Sequence, residues 1–166
     1  MTRPPELAPF YEGWAGQQQK LLNSIRPLTP EQMQLRAAPG EWAIWQLASN
    51  MAGGRLYWLC AMLGEDDRGN LPSFAGGGWE DAPHHPRTAD DLIDALEKTW
   101  TVAEACLDRW SLDDLDADVT TKDFWGKMVT ITAGWVLWRL MSHEMHHGSE
   151  ISLILRVHGL PTHMNM

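Results

Sequence analysis

The fold is decided by residues 134–161, which read GWVLWRLMSHEMHHGSEISLILRVHGLP. From Trp135 to Gly159 this stretch has no proline and ends at a glycine, which predicts one helix of about seven turns. His143 and His147 are four residues apart, so they project from the same side of that helix, about 6 Å apart. This is the spacing at which one helix offers two imidazoles to a single metal ion.

The two histidines lie in the middle of an apolar face. Steps of three and four residues from His143 reach Val136, Leu140, His147, Glu150, Ile151 and Ile154. The helix should meet its neighbours along this face, where polar side chains are costly unless a partner satisfies them. Glu150 follows His147 by one turn, so it is a candidate extra ligand or proton acceptor.

Length and composition describe an ordinary globular chain. The 166 residues fit one domain, residues 1–166, with 44% hydrophobic and 21% charged residues. A net charge of −9 without a basic run disfavours nucleic acid and anionic membranes as partners. Cys60 and Cys106 do not form a disulfide framework and are expected to be buried thiols. No signal peptide or membrane-spanning run is recognisable, so we expect a cytoplasmic protein.

Three more amphipathic helices precede the last one. We predict them from their apolar spacing and their end signals at residues 10–26, 41–64 and 88–110, with a short helix opened by Thr29 and Pro30. The first helix should expose residues 17–20. Two extended connections separate these helices, and the second could contain a hairpin of residues 119–121 and 129–132. The pattern predicts an all-α four-helix bundle with long crossover connections.

The second helix is predicted to have an interior stripe that contains one amide. The stripe consists of Ala43, Leu47, Asn50, Gly54, Tyr57, Trp58 and Ala61. A glycine pair at 53–54 costs helix stability, which indicates close packing or space for a ligand beside Asn50. Tyr57 faces the same interior and could supply a hydroxyl group.

The last helix is also apolar on its far side. Trp135, Trp138, Met145 and Leu153 lie off the histidine face. A helix that is apolar on two sides must be covered on two sides, either by the connections or by a second subunit. We expect a homodimer.

Residues 143–147 also spell HExxH, the zinc-protease signature. The metzincin form needs further Gly and His at the positions of Glu150 and Leu153, and no glutamate follows Glu150 to act as a third ligand. A protease is therefore disfavoured. Glu144 is expected to be a solvated carboxylate or one that holds an imidazole, with a general-base role as the lesser alternative.

Three features together resemble the DinB-like (YfiT-like) metalloenzyme superfamily. They are LTPEQMQLRAAPGEWAIWQLA at residues 28–48, the H-x-x-x-H-Gly core of the last helix, and the order and length of the segments between them. The resemblance implies a bundle whose second and fourth helices enclose a divalent metal held by three histidines. Two of these match His143 and His147, and the third falls on Asn50. Family members with assigned activity use glutathione, mycothiol or bacillithiol as co-substrate.

From this resemblance we expect a zinc or nickel site formed by His143, His147 and Asn50. Such a protein would be a metal-dependent hydrolase or a thiol-dependent S-transferase acting on a small molecule, with Glu150, Glu144 and Tyr57 as candidate catalytic residues. An amide oxygen is a weaker ligand than an imidazole for these metals. The alternative is therefore a non-catalytic small-molecule-binding bundle whose metal site is degenerate. His84 and His85 could replace the missing imidazole only if the first crossover folds over the pocket.

Overall fold

The computed structural model describes residues 7, 9, 11–66, 86–123 and 125–164. The predicted histidines His84 and His85, and most of the first crossover, lie outside these residues. The described elements are, in order, helix α1 (Glu12–Ile25), a 3₁₀ helix (Gln32–Gln34), helix α2 (Ile44–Arg55), a π-helical segment (Leu56–Met62), helix α3 (Ala89–Arg109), helix α4 (Leu112–Asp116), strands β1 (Asp118–Lys122) and β2 (Met128–Thr132), and helix α5 (Ala133–Val157). The all-α fold class is confirmed.

The helix ends follow the signals in the sequence. Thr88 caps α3 by accepting a hydrogen bond from the backbone N–H of Asp91, whose carboxylate accepts one from the Thr88 N–H in return. Thr132 caps α5 in a similar way at its first turn. Gly159, with φ of 70°, takes the left-handed conformation just beyond the end of α5. The longest helix is therefore fixed at both ends by its own sequence.

Helix α2 has the central place in the bundle. It packs against both α3 and α5, while α1 packs against α3. Apolar side chains from the four long helices α1, α2, α3 and α5 form the core, including Leu21, Ile44, Leu47, Leu92, Leu96, Ile151 and Ile154. Because α2 contacts α5, residues such as Asn50 and Gly54 are carried directly to the histidine face.

The second helix differs from the prediction after Arg55. We expected one helix to Gly64, but α2 ends at Arg55 and residues 56–62 form a π-helix. A π-helix hydrogen-bonds i to i+5 and has more residues per turn, so the buried positions shift in phase. Leu56, Leu59 and Met62 are buried, whereas Ala61 of the predicted stripe is exposed. The regular spacing used for the prediction does not apply in this segment.

The predicted hairpin is confirmed. Strands β1 and β2 pair antiparallel, with Val119 opposite Ile131 and Thr120 opposite Thr130. Strand β2 continues directly into α5 at Ala133. The hairpin therefore closes the second connection and leads the chain into the helix that carries the histidines.

Two further expectations have clear outcomes. The first helix was predicted to expose residues 17–20, but Gln18 is 5% exposed and its side chain reaches into the bundle. This part of the prediction was wrong because a glutamine can be buried when both ends of its amide find partners. Cys106 is buried, as expected, whereas the expectation that Cys60 is buried was wrong, because this residue is only half-buried. None of the helices in the described parts of the chain is long and apolar enough to cross a membrane.

Candidate functional site

The structure brings Asn50, His143 and His147 together between α2 and α5. The Nε2 atom of His143 lies 2.7 Å from Oδ1 of Asn50 and 3.1 Å from Nε2 of His147. Each side chain comes from the position that the sequence predicted, two on α5 and one on α2. Three ligand-type atoms therefore meet at one point of the helix interface.

Glu150 fixes the orientation of His147. Its Oε2 atom lies 2.7 Å from Nδ1 of His147. An ionised carboxylate only accepts hydrogen bonds, so Nδ1 carries the proton and donates it to Glu150. The Nε2 atom of His147 is then left with a free lone pair directed at His143. This arrangement, in which a carboxylate orients an imidazole through its outer nitrogen, is common among metal-binding histidines.

Gly54 gives the ring of His143 its space. A Cβ atom at this position would lie 3.2 Å from Cε1 and 3.5 Å from Nδ1 of His143. The glycine therefore lets α2 approach α5 closely at the site. The Nδ1 atom of His143 is buried and has no hydrogen-bond partner among the described residues.

Both imidazoles are held in their neutral form. Burial, together with the nearby His147, Arg139 and other charged groups, lowers the pKa of His143 to about 3. Burial also lowers the pKa of His147, although the hydrogen bond to Glu150 opposes this effect. Neutral imidazole is the form that binds metal ions. The environment thus keeps both nitrogen ligands available at neutral pH.

The donor set fits a divalent metal. Two nitrogen ligands of a tetrahedral zinc ion stand about 3.4 Å apart, given metal–nitrogen distances of about 2.0–2.1 Å. The 3.1 Å between the Nε2 atoms of His143 and His147 is close to this value. A second group of ligand atoms overlaps with the first, since atoms of His146, His147 and Glu150 lie within 4.8 Å of one another. The residues of α5 can therefore approach a cation from two sides of His147.

Glu144 does not take part in this arrangement. It is 6% exposed, and its carboxylate forms a two-point ion pair with Arg55, at 2.7 Å from Nε and 2.8 Å from Nη2. Nε1 of Trp14 donates a third hydrogen bond to the same carboxylate at 2.7 Å. The expectation of a solvated carboxylate, or one that holds an imidazole, was wrong, because Glu144 is buried and its charge is compensated by the buried Arg55.

Arg55 is the residue that the sequence analysis missed. It is 0% exposed, and besides Glu144 it donates to the backbone carbonyl of Leu96 at 2.9 Å and to Oε1 of Gln18 at 2.6 Å. Its network therefore ties all four long helices together beside His143. One signal was present in the sequence: Arg55 continues the three- and four-residue steps of the apolar residues Ala48, Met51 and Ala52, and Gln18 does the same between Trp14 and Leu21.

Tyr57 lies in the π-helical segment and is half-buried. Its ring packs edge-on against Trp58, with ring centroids 5.0 Å apart, and Trp58 in turn contacts Trp135. The structure thus places Tyr57 next to a tryptophan cluster. Its role as a source of a hydroxyl group stays a prediction.

A cavity of about 520 Å³ opens beside His147. His147 and Glu150 form one side of it, and Glu41, Trp42, Leu47 and Ile154 form much of the rest. The Trp42 ring stacks against the His147 ring at a centroid distance of 5.9 Å and an interplanar angle of 21°. A molecule in this cavity would lie against His147, and the volume is within the usual range of small-molecule sites.

The fold and the site can be compared with known proteins. The family model described as the DinB superfamily matches residues 14–151. A DinB-like protein from Bacillus cereus has 23% sequence identity and a TM-score of 0.69, over 92% of this chain and 93% of that one. A member of the DinB family from Exiguobacterium sibiricum has 19% identity and a TM-score of 0.64, over 95% of each chain.

A more distant structural match is a mutant of the mycothiol-dependent maleylpyruvate isomerase. It has 15% identity and a TM-score of 0.58, over 86% of this chain and 63% of that one. No curated protein sequence matches the chain significantly. At these identities the likeness concerns the fold.

Proposed function

Because this chain belongs to the DinB superfamily, we propose that it is a metal-dependent enzyme whose site lies between α2 and α5. The reaction is either the hydrolysis of a small molecule or a transfer that uses a low-molecular-weight thiol as co-substrate. The observation that supports this proposal is the convergence of Asn50, His143 and His147 on one point, with Glu150 behind His147.

The convergence is chemically unusual because it gathers atoms that repel one another. Nε2 of His147 presents a lone pair, since Nδ1 donates to Glu150, and Oδ1 of Asn50 presents another. Nε2 of His143 lies between them. A shared proton on that nitrogen, or a cation, relieves the repulsion. With a cation bound, the proton of His143 sits on Nδ1, the atom that has no partner among the described residues.

The residues take distinct roles in this proposal. His143 and His147 would hold zinc or nickel through their Nε2 atoms, and Asn50 would add its side-chain oxygen. A bound ion of this kind lowers the pKa of a coordinated water or thiol, so that a nucleophile is present at neutral pH. Glu150 keeps His147 in the correct tautomer. Its carboxylate also lines the cavity, on the Nδ1 side of His147, so the role of Glu150 as a proton acceptor stays a prediction.

The thiol-dependent form of the reaction rests on two kinds of support. One structurally similar protein is a mycothiol-dependent isomerase. In this chain, the cavity of about 520 Å³ beside His147 has room for a small thiol or for part of a larger one. The hydrolytic form needs only water in the same place.

Metal binding is the first test. We expect purified protein to take up zinc or nickel at a ratio of one ion per chain in calorimetric titration, and His143→Ala to abolish this uptake. His158→Ala is the matched control, because His158 is an exposed histidine beyond the end of α5. Asn50→His should raise the affinity strongly, since imidazole replaces the weaker amide oxygen. Wild-type protein that takes up no metal, with melting unchanged by zinc, would contradict the proposal.

That contradicting result would favour the second candidate function, a non-catalytic bundle that binds a small molecule. Its specific support is Asn50, which provides an amide where a third imidazole would hold the metal more firmly. In such a protein the Nε2 proton of His143 would be shared with Asn50 Oδ1, and the site would be a hydrogen-bonded pocket. Metal-free protein that still binds ligands in the cavity would identify this function.

We also propose that the chain forms a homodimer through the outer face of α5. Five apolar side chains of this helix are between 42% and 63% exposed, namely Trp135, Trp138, Met145, Leu153 and Val157. Covering such a face removes a large apolar area from water. Light scattering after size-exclusion chromatography should give twice the chain mass, and Trp138→Lys should give the monomer. A wild-type monomer at high concentration would refute the dimer. We further propose a cytoplasmic location, which is in keeping with a sequence of only two cysteines.

A further inference from the structure

The cavity beside His147 carries information about the charge of its occupant. Its walls combine apolar side chains, Trp42, Leu47 and Ile154 among them, with the two carboxylates of Glu41 and Glu150. Neither lysine nor arginine is among the described residues that line it. The apolar walls favour a hydrocarbon or aromatic body, and the carboxylates favour a positive group at one end.

Neither lysine nor arginine faces Glu150 among the described residues that line the cavity. His147 donates its Nδ1–H to this carboxylate at 2.7 Å, and the Glu150 side chain is 39% exposed. His146 lies 3.6 Å from the same carboxylate and is 68% exposed to solvent. Arg36 donates to the backbone carbonyl of Glu41, and its guanidinium does not line the cavity. An anionic occupant would therefore face two carboxylates, with no compensating lysine or arginine in the part of the wall that the structure describes.

Trp42 also favours a positively charged ligand. One face of its ring stacks against His147, and the side chain remains 39% exposed. The face of an indole ring attracts ammonium groups and stacks on flat apolar groups. Both the carboxylates and the tryptophan therefore select for an organic cation with an apolar body.

We propose that the molecule bound in this cavity is a small amine, protonated at neutral pH, whose apolar part packs on Leu47 and Ile154. Its ammonium group lies toward Glu41 and Glu150. This inference deepens the proposed function, since it gives the substrate class of the site beside His147, and it rests on that function only for the chemistry that follows binding.

Three probes of similar size and different charge test the proposal. They are phenethylammonium, 2-phenylethanol and 3-phenylpropanoate, titrated calorimetrically into protein from which metal has been removed by a chelator. We expect the cation to bind at least about tenfold more tightly than the anion, with the alcohol between them, and the difference to shrink as salt is added. Equal affinities, a preference for the anion, or no binding of the cation in the millimolar range would overturn the proposal.

Variants locate the effect. Glu41→Gln should weaken binding of phenethylammonium by about fivefold, the effect of losing one solvent-exposed ion pair, and leave 2-phenylethanol unchanged. Glu104→Gln is the matched control, because it removes one exposed carboxylate from α3 outside the cavity. Equal effects of the two substitutions would overturn the proposal, because only the overall charge would then matter. His143→Ala should abolish metal uptake yet keep the preference for the cation, so failure of the metal site and failure of the amine site are separate results.

Discussion

Replacing Glu144 by glutamine should destabilise the protein strongly, although the side chain keeps its shape. In the wild-type protein the carboxylate accepts two hydrogen bonds from Arg55 and one from Trp14, at 2.7–2.8 Å. The amide replaces one acceptor oxygen by an NH₂ group, which then faces a donor. It also leaves the guanidinium of Arg55, 0% exposed, without its counter-charge. Removing one partner of a buried pair costs about 3–5 kcal/mol, a large share of the roughly 5–15 kcal/mol by which a domain is stable.

Urea denaturation followed by circular dichroism measures this cost. The matched control is Glu97→Gln, which breaks the exposed pair between Glu97 and Arg26, where the atoms are 3.5 Å apart and both side chains more than half exposed. This change should cost no more than about 1 kcal/mol. The double substitution of Arg55→Met with Glu144→Leu should recover most of the lost stability, because no unpaired charge remains. The reasoning would be refuted if Glu144→Gln lost less than about 1 kcal/mol.

Other predictions concern glycines, acid stability and thiol reactivity. Gly54→Ala places a methyl group 3.2 Å from Cε1 of His143, so it should lower the free energy of unfolding by about 1–3 kcal/mol and weaken metal uptake. Gly16→Ala in α1 is the control, because this glycine has open space around it, and the change should leave the melting temperature unchanged or raise it. The pKa of His143 is about 3 in the folded state and higher in the unfolded state, so the unfolded state binds the extra proton. The free energy of unfolding should therefore fall as the pH drops from about 6.5 towards 3. If the melting temperatures of wild type and His143→Ala fell equally with pH in this range, this prediction would be contradicted. Burial raises the pKa of the Cys106 thiol to about 12. Iodoacetamide should therefore leave this thiol unmodified at pH 8 in native protein and modify it in urea. Rapid labelling of Cys106 in native protein, measured by mass spectrometry, would disprove its burial.

The sequence predicted which residues form the candidate site, but it did not predict the buried polar residues beside it. The spacing of His143 and His147 predicted that both lie on one face of α5, and the family resemblance predicted Asn50 on the second helix as their partner. Asn50 lies in the regular α-helical part of the second helix, which ends at Arg55. Periodicity describes one helix at a time, however. It cannot show which polar residue on one helix will meet which on another, so the pairing of Arg55 with Glu144 was not predicted.

The prediction of the buried positions after Arg55 was wrong for a different reason. The α-helical and π-helical hydrogen-bond patterns of a short segment differ little in free energy, so tertiary packing decides which one forms. The segment from Leu56 to Met62 has the apolar composition of an ordinary helix. Burial of Gln18 was likewise settled by the partner it finds on another helix. The interpretation of residues 1–166 as one domain stays a prediction.

The most direct test of the metal site is the anomalous diffraction of a crystal soaked with zinc. We predict one strong peak between α2 and α5, about 2.0–2.1 Å from the Nε2 atoms of His143 and His147 and next to Oδ1 of Asn50. Crystals of His143→Ala treated in the same way should lack it. A zinc-saturated crystal with no peak at this point, or with zinc only on the outer side of His147 beside Glu150, would contradict the site.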